Sequence, residues 1–284
     1  MRLPLTSLLL VACGCSRDAT IRVGEIQVFD RTGAASAEWR LEGEVLRGLV
    51  KDALRGPQIE VAEGSAAGAP WRCRVELAIE GAVVAGHGVL RAAIAARLDR
   101  PGVLEETPIE ASAVVERGFE SFVARDRTAL VRAHLARGLR DALADIHREV
   151  RLRLGDGGGL KSALGESDPA VRRIAVRVAE LRRERAVVPR LIELLRDADA
   201  TVADAAIGAL AAIGDRRAVR PLCDLVPLRD VRGVAKILDA VGAIGGDEAR
   251  AYLEYVAAGH DDPEVRSLAK EARGRLLRRA RGER

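Results

Sequence analysis

The sequence predicts an α+β sandwich domain over residues 20–154, followed by an all-α solenoid of about four 31-residue repeats over residues 160–284. Three patterns carry this reading. Asp168, Asp199, Asp230 and Asp261 recur at one interval of 31 residues, each just before a helix-like apolar run. A unit this short cannot bury its own apolar face, so it must stack on copies of itself. Upstream, residues 71–79 and 90–98 alternate apolar and polar side chains at the period of a half-buried strand. Between the two regimes lies Gly155-Asp156-Gly157-Gly158-Gly159, which reads as a flexible joint.

At 31% charged and 48% hydrophobic residues, the composition is that of a folded chain and excludes a disordered one. The opening MRLPLTSLLLVA carries one positive charge and an apolar run. The run is shorter than the roughly 20 residues that cross a bilayer and suits a signal-peptide core. The tetrad that follows, Leu10-Val11-Ala12-Cys13, resembles the lipobox of bacterial lipoproteins, with Cys15 as a second, poorer cleavage site. This resemblance implies a signal peptide over 1–12, lipid modification of Cys13 and a lipidated linker over 13–19. Gly14, where an aspartate would retain the protein in the inner membrane, implies the outer membrane, facing the periplasm. Cys73 and Cys223 have apolar neighbours and read as small core residues.

Within the first domain, Ile21 to Phe29 reads as a strand in which Gly24 shifts the apolar alternation by one, as at a bulge. Residues 37–55 place Leu41, Val45, Leu49 and Ala53 four apart and stop at Gly56, which predicts an amphipathic helix. The two alternating segments are strands, with Gly81 and the Gly86–Gly88 stretch as turns or bends, and residues 108–116 add another. From Thr128 a long helix buries Val131, Leu135, Leu139, Leu143, Ile146 and Val150. Two helices then cover one sheet face. The order resembles small envelope-lipoprotein domains, such as lipopolysaccharide-assembly lipoproteins or the amino-terminal domain of the Tol-system propeller protein. That implies an alternative function, handling lipid or lipopolysaccharide through the α+β domain.

Lys161 and Ser162 follow the glycine cluster, but a phosphate loop demands glycine where Leu160 stands and a strand where a helix precedes it. In the repeats, aspartate at the N-cap accepts orphan amide bonds, and proline in the first turn loses none. One residue is gained before the last copy, where Asp262-Pro263-Glu264-Val265-Arg266 restates Asp168-Pro169-Ala170-Val171-Arg172. These openings, with the Ala-Ile-Gly-Asp turn at 212–215 and Ala-Val-x-x-Leu at 218–222, resemble the HEAT-like repeats first associated with phycobilisome lyases. The resemblance implies a helix-pair solenoid whose usual work is binding proteins, and more remotely a tetrapyrrole lyase-like enzyme. In copy three, Gly233 and Lys236 replace a valine and an alanine and predict a less well packed first helix.

Core leucines Leu191, Leu222 and Leu253 recur in the second helices. The residues before them, Arg190, Pro221 and Tyr252, therefore form one surface column, and Glu193, Asp224 and Tyr255 another. Arg190, Glu193, Asp224, Tyr252 and Tyr255 are the candidate protein-binding residues, since tyrosine and arginine combine large contact area with a polar tip. Against that stands simple packing of the tyrosines on the last helix. Residues 266–284 hold 8 basic and 2 acidic side chains. Among them Arg273, Arg275, Arg278, Arg279 and Arg281 are a candidate patch for anionic lipid or an acidic partner, or the solvated face of a capping helix. Nucleic acid is not expected, because no aromatic platform accompanies these arginines. His87, His134, His147 and His260 are scattered, with His134 and His147 expected on a helix surface. No catalytic constellation, metal-ligand spacing or cofactor motif is found. The expectation is a non-enzymatic, lipid-anchored envelope scaffold that binds an unidentified envelope protein.

Overall fold

A computed structural model describes residues 20–62, 71–84, 87–103, 106–120, 127–225 and 231–281. The chain divides into two compact units, residues 1–143 and 144–284. The first is a mixed β-sheet with helices on one face, and the second is helical and contains HEAT-type pairs.

Among the described residues, five strands form the sheet: β1 (Ile21–Asp30), β2 (Ile59–Val61), β3 (Trp71–Val84), β4 (His87–Asp99) and β5 (Ile109–Glu120), in the order β2-β1-β3-β4-β5. Strand β1 runs parallel to both β2 and β3, while β3, β4 and β5 are antiparallel. The register of β1 on β3 shifts between Val23 and Glu25, so Gly24 is the expected bulge: Ile21 and Val23 point inward before it, Ile26 and Val28 after it. Strand β2 was not legible in the sequence, because three residues are too few to display an alternation.

Gly81, read as a turn or bend, continues β3 opposite Leu90. A Cβ there would lie 2.2 Å from the Trp39 ring, so the glycine is a seat for that indole. Trp39 also explains the broken first helix. Rather than one helix over 37–55, a 3-10 turn (Ala34–Trp39) delivers the ring to the sheet, Arg40 and Glu42 are extended, and α1 spans only Gly43–Leu54. Its buried residues are Leu46, Leu49, Val50 and Leu54, not the stripe through Leu41 and Val45. This helix packs on β1 and β2. Helix α2 (Arg127–Leu154) buries the expected stripe, and its Gly138 approaches so closely that a Cβ would fall 2.7 Å from Val115 and 2.8 Å from Ile94. Both helices thus cover one face of the sheet.

The division between the units falls inside α2, and Leu152 near its end belongs to the solenoid core. The expected glycine joint is ordered differently: Asp156 caps α3 (Gly157–Ala163) by accepting from the Gly159 amide at 3.0 Å, so the three glycines form a first helical turn. Helices α4 (Pro169–Arg182), α5 (Val188–Leu194), α6 (Ala200–Ile213), α7 (Val219–Cys223), α8 (Val231–Ile244), α9 (Asp247–Gly259) and α10 (Pro263–Ala280) follow. Among the described residues these make three pairs and a final single helix, and one continuous apolar core runs through them.

Asp168, Asp199 and Asp262 cap α4, α6 and α10 with their side chains. In the last copy the cap is Asp262 rather than Asp261, as the extra residue requires, and Asp230 lies outside the described residues. Arginine in the repeated opening has a definite job. The Arg172 guanidinium donates to the carbonyls of Glu166 and Ser167, and that of Arg266 to those of His260 and Asp261. Each closes the loop before its own helix. Glu149 of α2 is fully buried; Oε1 accepts from Arg153 at 2.6 Å and Oε2 pairs with Arg177 of α4.

Candidate functional site

The second helices of the pairs place the candidate binding residues. In α5, Leu191 and Leu194 are buried, which leaves Arg190 and Glu193 outside, paired with each other. Helix α7 ends after Cys223, and exposed Asp224 follows as its C-cap. In α9, Leu253, Val256 and Ala257 turn inward. That phase leaves Tyr255 75% exposed and Tyr252 half-buried against the core.

The Tyr252 hydroxyl donates to the Cys223 carbonyl at 3.3 Å and so ties α9 to the end of α7. Burial pushes the phenol up to about 12, and the neighbouring Cys223, Asp224 and Tyr255 push the same way. Asp224, Tyr252 and Tyr255 therefore share one neighbourhood, while Arg190 and Glu193 form a separate pair one repeat earlier. Within the two expected columns, Tyr255 and Asp224 are exposed, and Tyr252 is tied to the end of α7.

The five candidate arginines, four on α10 and Arg281 at its C-cap, do not share one set of partners. Arg273 lies 3.8 Å from Glu254 of α9, whereas Arg275 pairs with Asp239 of α8 and approaches Glu271 at 3.9 Å. Arg278, Arg279 and Arg281 are exposed and carry no ion pair among the described residues. Positive charge left over for an anion thus comes from three arginines rather than five.

One feature escaped sequence reasoning. On the first helices, a groove of about 490 Å³ has Ile207, Ala211 and Ala243 in its lining, with charged residues from α6, α8 and α10 around them. Lys236 bonds Asp204 at 2.6 Å and Arg275 bonds Asp239, so α6, α8 and α10 are laced together. Lys236, which breaks the apolar pattern of copy three, is thus the partner of the preceding copy. The available signal was a pair of opposite charges 32 residues apart, one off the repeat period.

His134 is not on a helix surface: it is 3% exposed, and its Nε2–H donates to the Val115 carbonyl at 3.2 Å. Burial holds its pKa below the ordinary value. Burial likewise pushes the Cys73 and Cys223 thiols up to about 12, which suits packing. Among the described residues, no group of histidine, cysteine and carboxylate side chains is arranged to hold a metal ion, and no helix is long and apolar enough to cross a membrane. Cys13 lies outside the described residues.

The family of HEAT repeats matches residues 159–237, and α9 and α10 continue the same stack beyond the match. No curated protein matches the chain. Among solved structures, the chain is similar to the PelC dodecamer from Paraburkholderia phytofirmans, at 13% identity over 44% of this chain and 88% of that one, with a TM-score of 0.30. It is also similar to a single-substitution variant of the same dodecamer, at 20% identity over 43% and 92%, with a TM-score of 0.24.

Proposed function

We propose that this chain is a non-enzymatic, lipid-anchored protein of the bacterial cell envelope that holds a partner protein on the second-helix surface of its HEAT repeats. The observation that carries the reading is Tyr255, an aromatic ring left three-quarters exposed on the second helix of a pair, in the neighbourhood of Tyr252. A large side chain with a polar tip on a rigid helix is the usual anchor of a protein interface. Leu10-Val11-Ala12-Cys13 supports the anchor, with Cys13 as the acylated residue, and Gly14 supports the outer membrane. Stable anchoring needs at least two chains, since each buried methylene contributes only about 0.8 kcal/mol.

Proximity labelling from the anchored protein identifies the partner. Tyr255→Ala then weakens its capture by about ten-fold or more, with no change in melting temperature. Retained capture sinks the binding surface, and an unmodified Cys13 in the mass spectrum of the mature amino terminus sinks the anchor.

A further inference from the structure

The groove on the first helices encloses about 490 Å³, a size at which proteins hold small molecules. Helix α6 lines one side of it and carries a single charged residue, Asp204, among its 14. A surface helix ordinarily turns a polar face to water. On the outward face of α6, Ala205, Gly208, Ala211 and Ala212 follow Asp204 at helical spacing, with no polar side chain among them.

Gly208 is the informative member of that face. Glycine inside a helix weakens it relative to alanine, so its presence calls for a reason. At Gly242 of α8 the reason lies within the chain: a Cβ there would stand 3.3 Å from the Ala272 carbonyl oxygen, where α10 packs closely. At Gly208 a Cβ would meet nothing within 4 Å. No neighbour in the chain requires that gap, and it opens into the groove.

The charges in the lining select what fills it. Lys236 bonds Asp204 at 2.6 Å, and Arg275 is held by Asp239, with Glu271 at 3.9 Å. These residues satisfy one another. Arg279, also in the lining, is exposed and has no carboxylate within ion-pair reach among the described residues. Apolar walls with one unmatched guanidinium complement an acyl chain that ends in one anionic head. We propose that the groove binds a fatty-acid-type ligand, with its chain over Ile207, Gly208, Ala211 and Ala243 and its carboxylate on Arg279. The site lies on the first helices, so it stands or falls separately from the second-helix surface proposed above.

A photoreactive diazirine analogue of dodecanoate tests the proposal. It is titrated into the full chain in the presence of phosphatidylcholine vesicles, and the labelled peptides are read by mass spectrometry. Saturable labelling of α6 and α8 is expected, displaced by dodecanoate and not by dodecylamine, whose head carries the charge of Arg279. Arg279→Ala raises the half-saturating concentration about ten-fold, the loss of one charge-assisted contact. Gly208→Leu fills the groove and abolishes labelling without lowering the melting temperature, because leucine favours the helix. Tyr255→Ala leaves labelling unchanged. Should Gly208→Leu fail to fold, Arg279→Ala and the dodecylamine competition decide. Labelling that does not saturate, that spreads over the chain, that dodecylamine displaces equally, or that Arg279→Ala leaves unchanged overturns the proposal.

Discussion

Arg172 grips Asp197 through two parallel bonds, Nε to Oδ2 at 2.8 Å and Nη2 to Oδ1 at 2.7 Å, and both side chains are largely buried. The pair joins the opening of the first repeat to the loop that starts the second. Removing one partner of such a pair leaves a charge without its counterpart, so Arg172→Ala is expected to cost about 2 kcal/mol in chemical denaturation of the full chain.

The same pair sets an acid limit. The Arg172 guanidinium holds the Asp197 carboxyl below its ordinary value, and Arg217 holds Asp215 at about 2. A carboxyl depressed on folding contributes stability that is fully present above its unfolded pKa of about 4 and is lost as pH falls through the folded value. Melting temperature should therefore fall between about pH 4 and 2, and Asp197→Asn with Asp215→Asn should flatten that limb.

Arg183, Gly214 and Gly245 occupy one repeat position and share a left-handed backbone, with φ of 48°, 70° and 72°. Only the arginine bears a Cβ, which that conformation disfavours by about 1 kcal/mol. Arg183→Gly is thus expected to stabilise the chain by about that amount in denaturant titration.

His134 predicts a second pH dependence, confined to the α+β unit. Because burial lowers its pKa, the unfolded chain binds the proton first as pH falls. The contribution is complete above about pH 6.5 and is lost as pH falls towards the folded value. Melting at pH 7.5 and 5.5 should differ for the native chain and differ less for His134→Gln, which can still donate to Val115.

Tyr252 and Tyr255 should separate by phenotype. Tyr252→Phe removes the bond to Cys223 and is expected to cost about 1 kcal/mol of stability. Tyr255→Phe, on an exposed ring, leaves stability unchanged in the same measurement.

Much of the solenoid was legible because its determinants are local and repeated: a capping aspartate, a first-turn proline and an apolar residue at each helical turn. In the sheet, alternation exposed β3, β4 and β5, and even the bulge at Gly24. What escaped depended on contacts distant in the chain. Trp39 breaks a helix because its seat is Gly81, and His134 leaves the helix surface because Val115 lies opposite. For the candidate surface, periodicity placed Tyr252 and Tyr255 on the right helix. Only the packed structure distinguishes the ring that braces α7 from the ring that faces outward.

The bond from Tyr252 to Cys223 bears on how such a chain can change length. Helix α7 has five residues, and its end is held by a side chain supplied from the following copy, just as Asp204 is matched by Lys236 of the next. Each copy therefore depends on a neighbour's residues as well as on its own. Both contacts cross the seam between the second and third copies, so excising either copy, even in phase at the aspartate caps, strands a donor or an acceptor. These two modules are therefore not interchangeable units, and a variant that loses one of them should be less stable than its remaining helices alone would suggest.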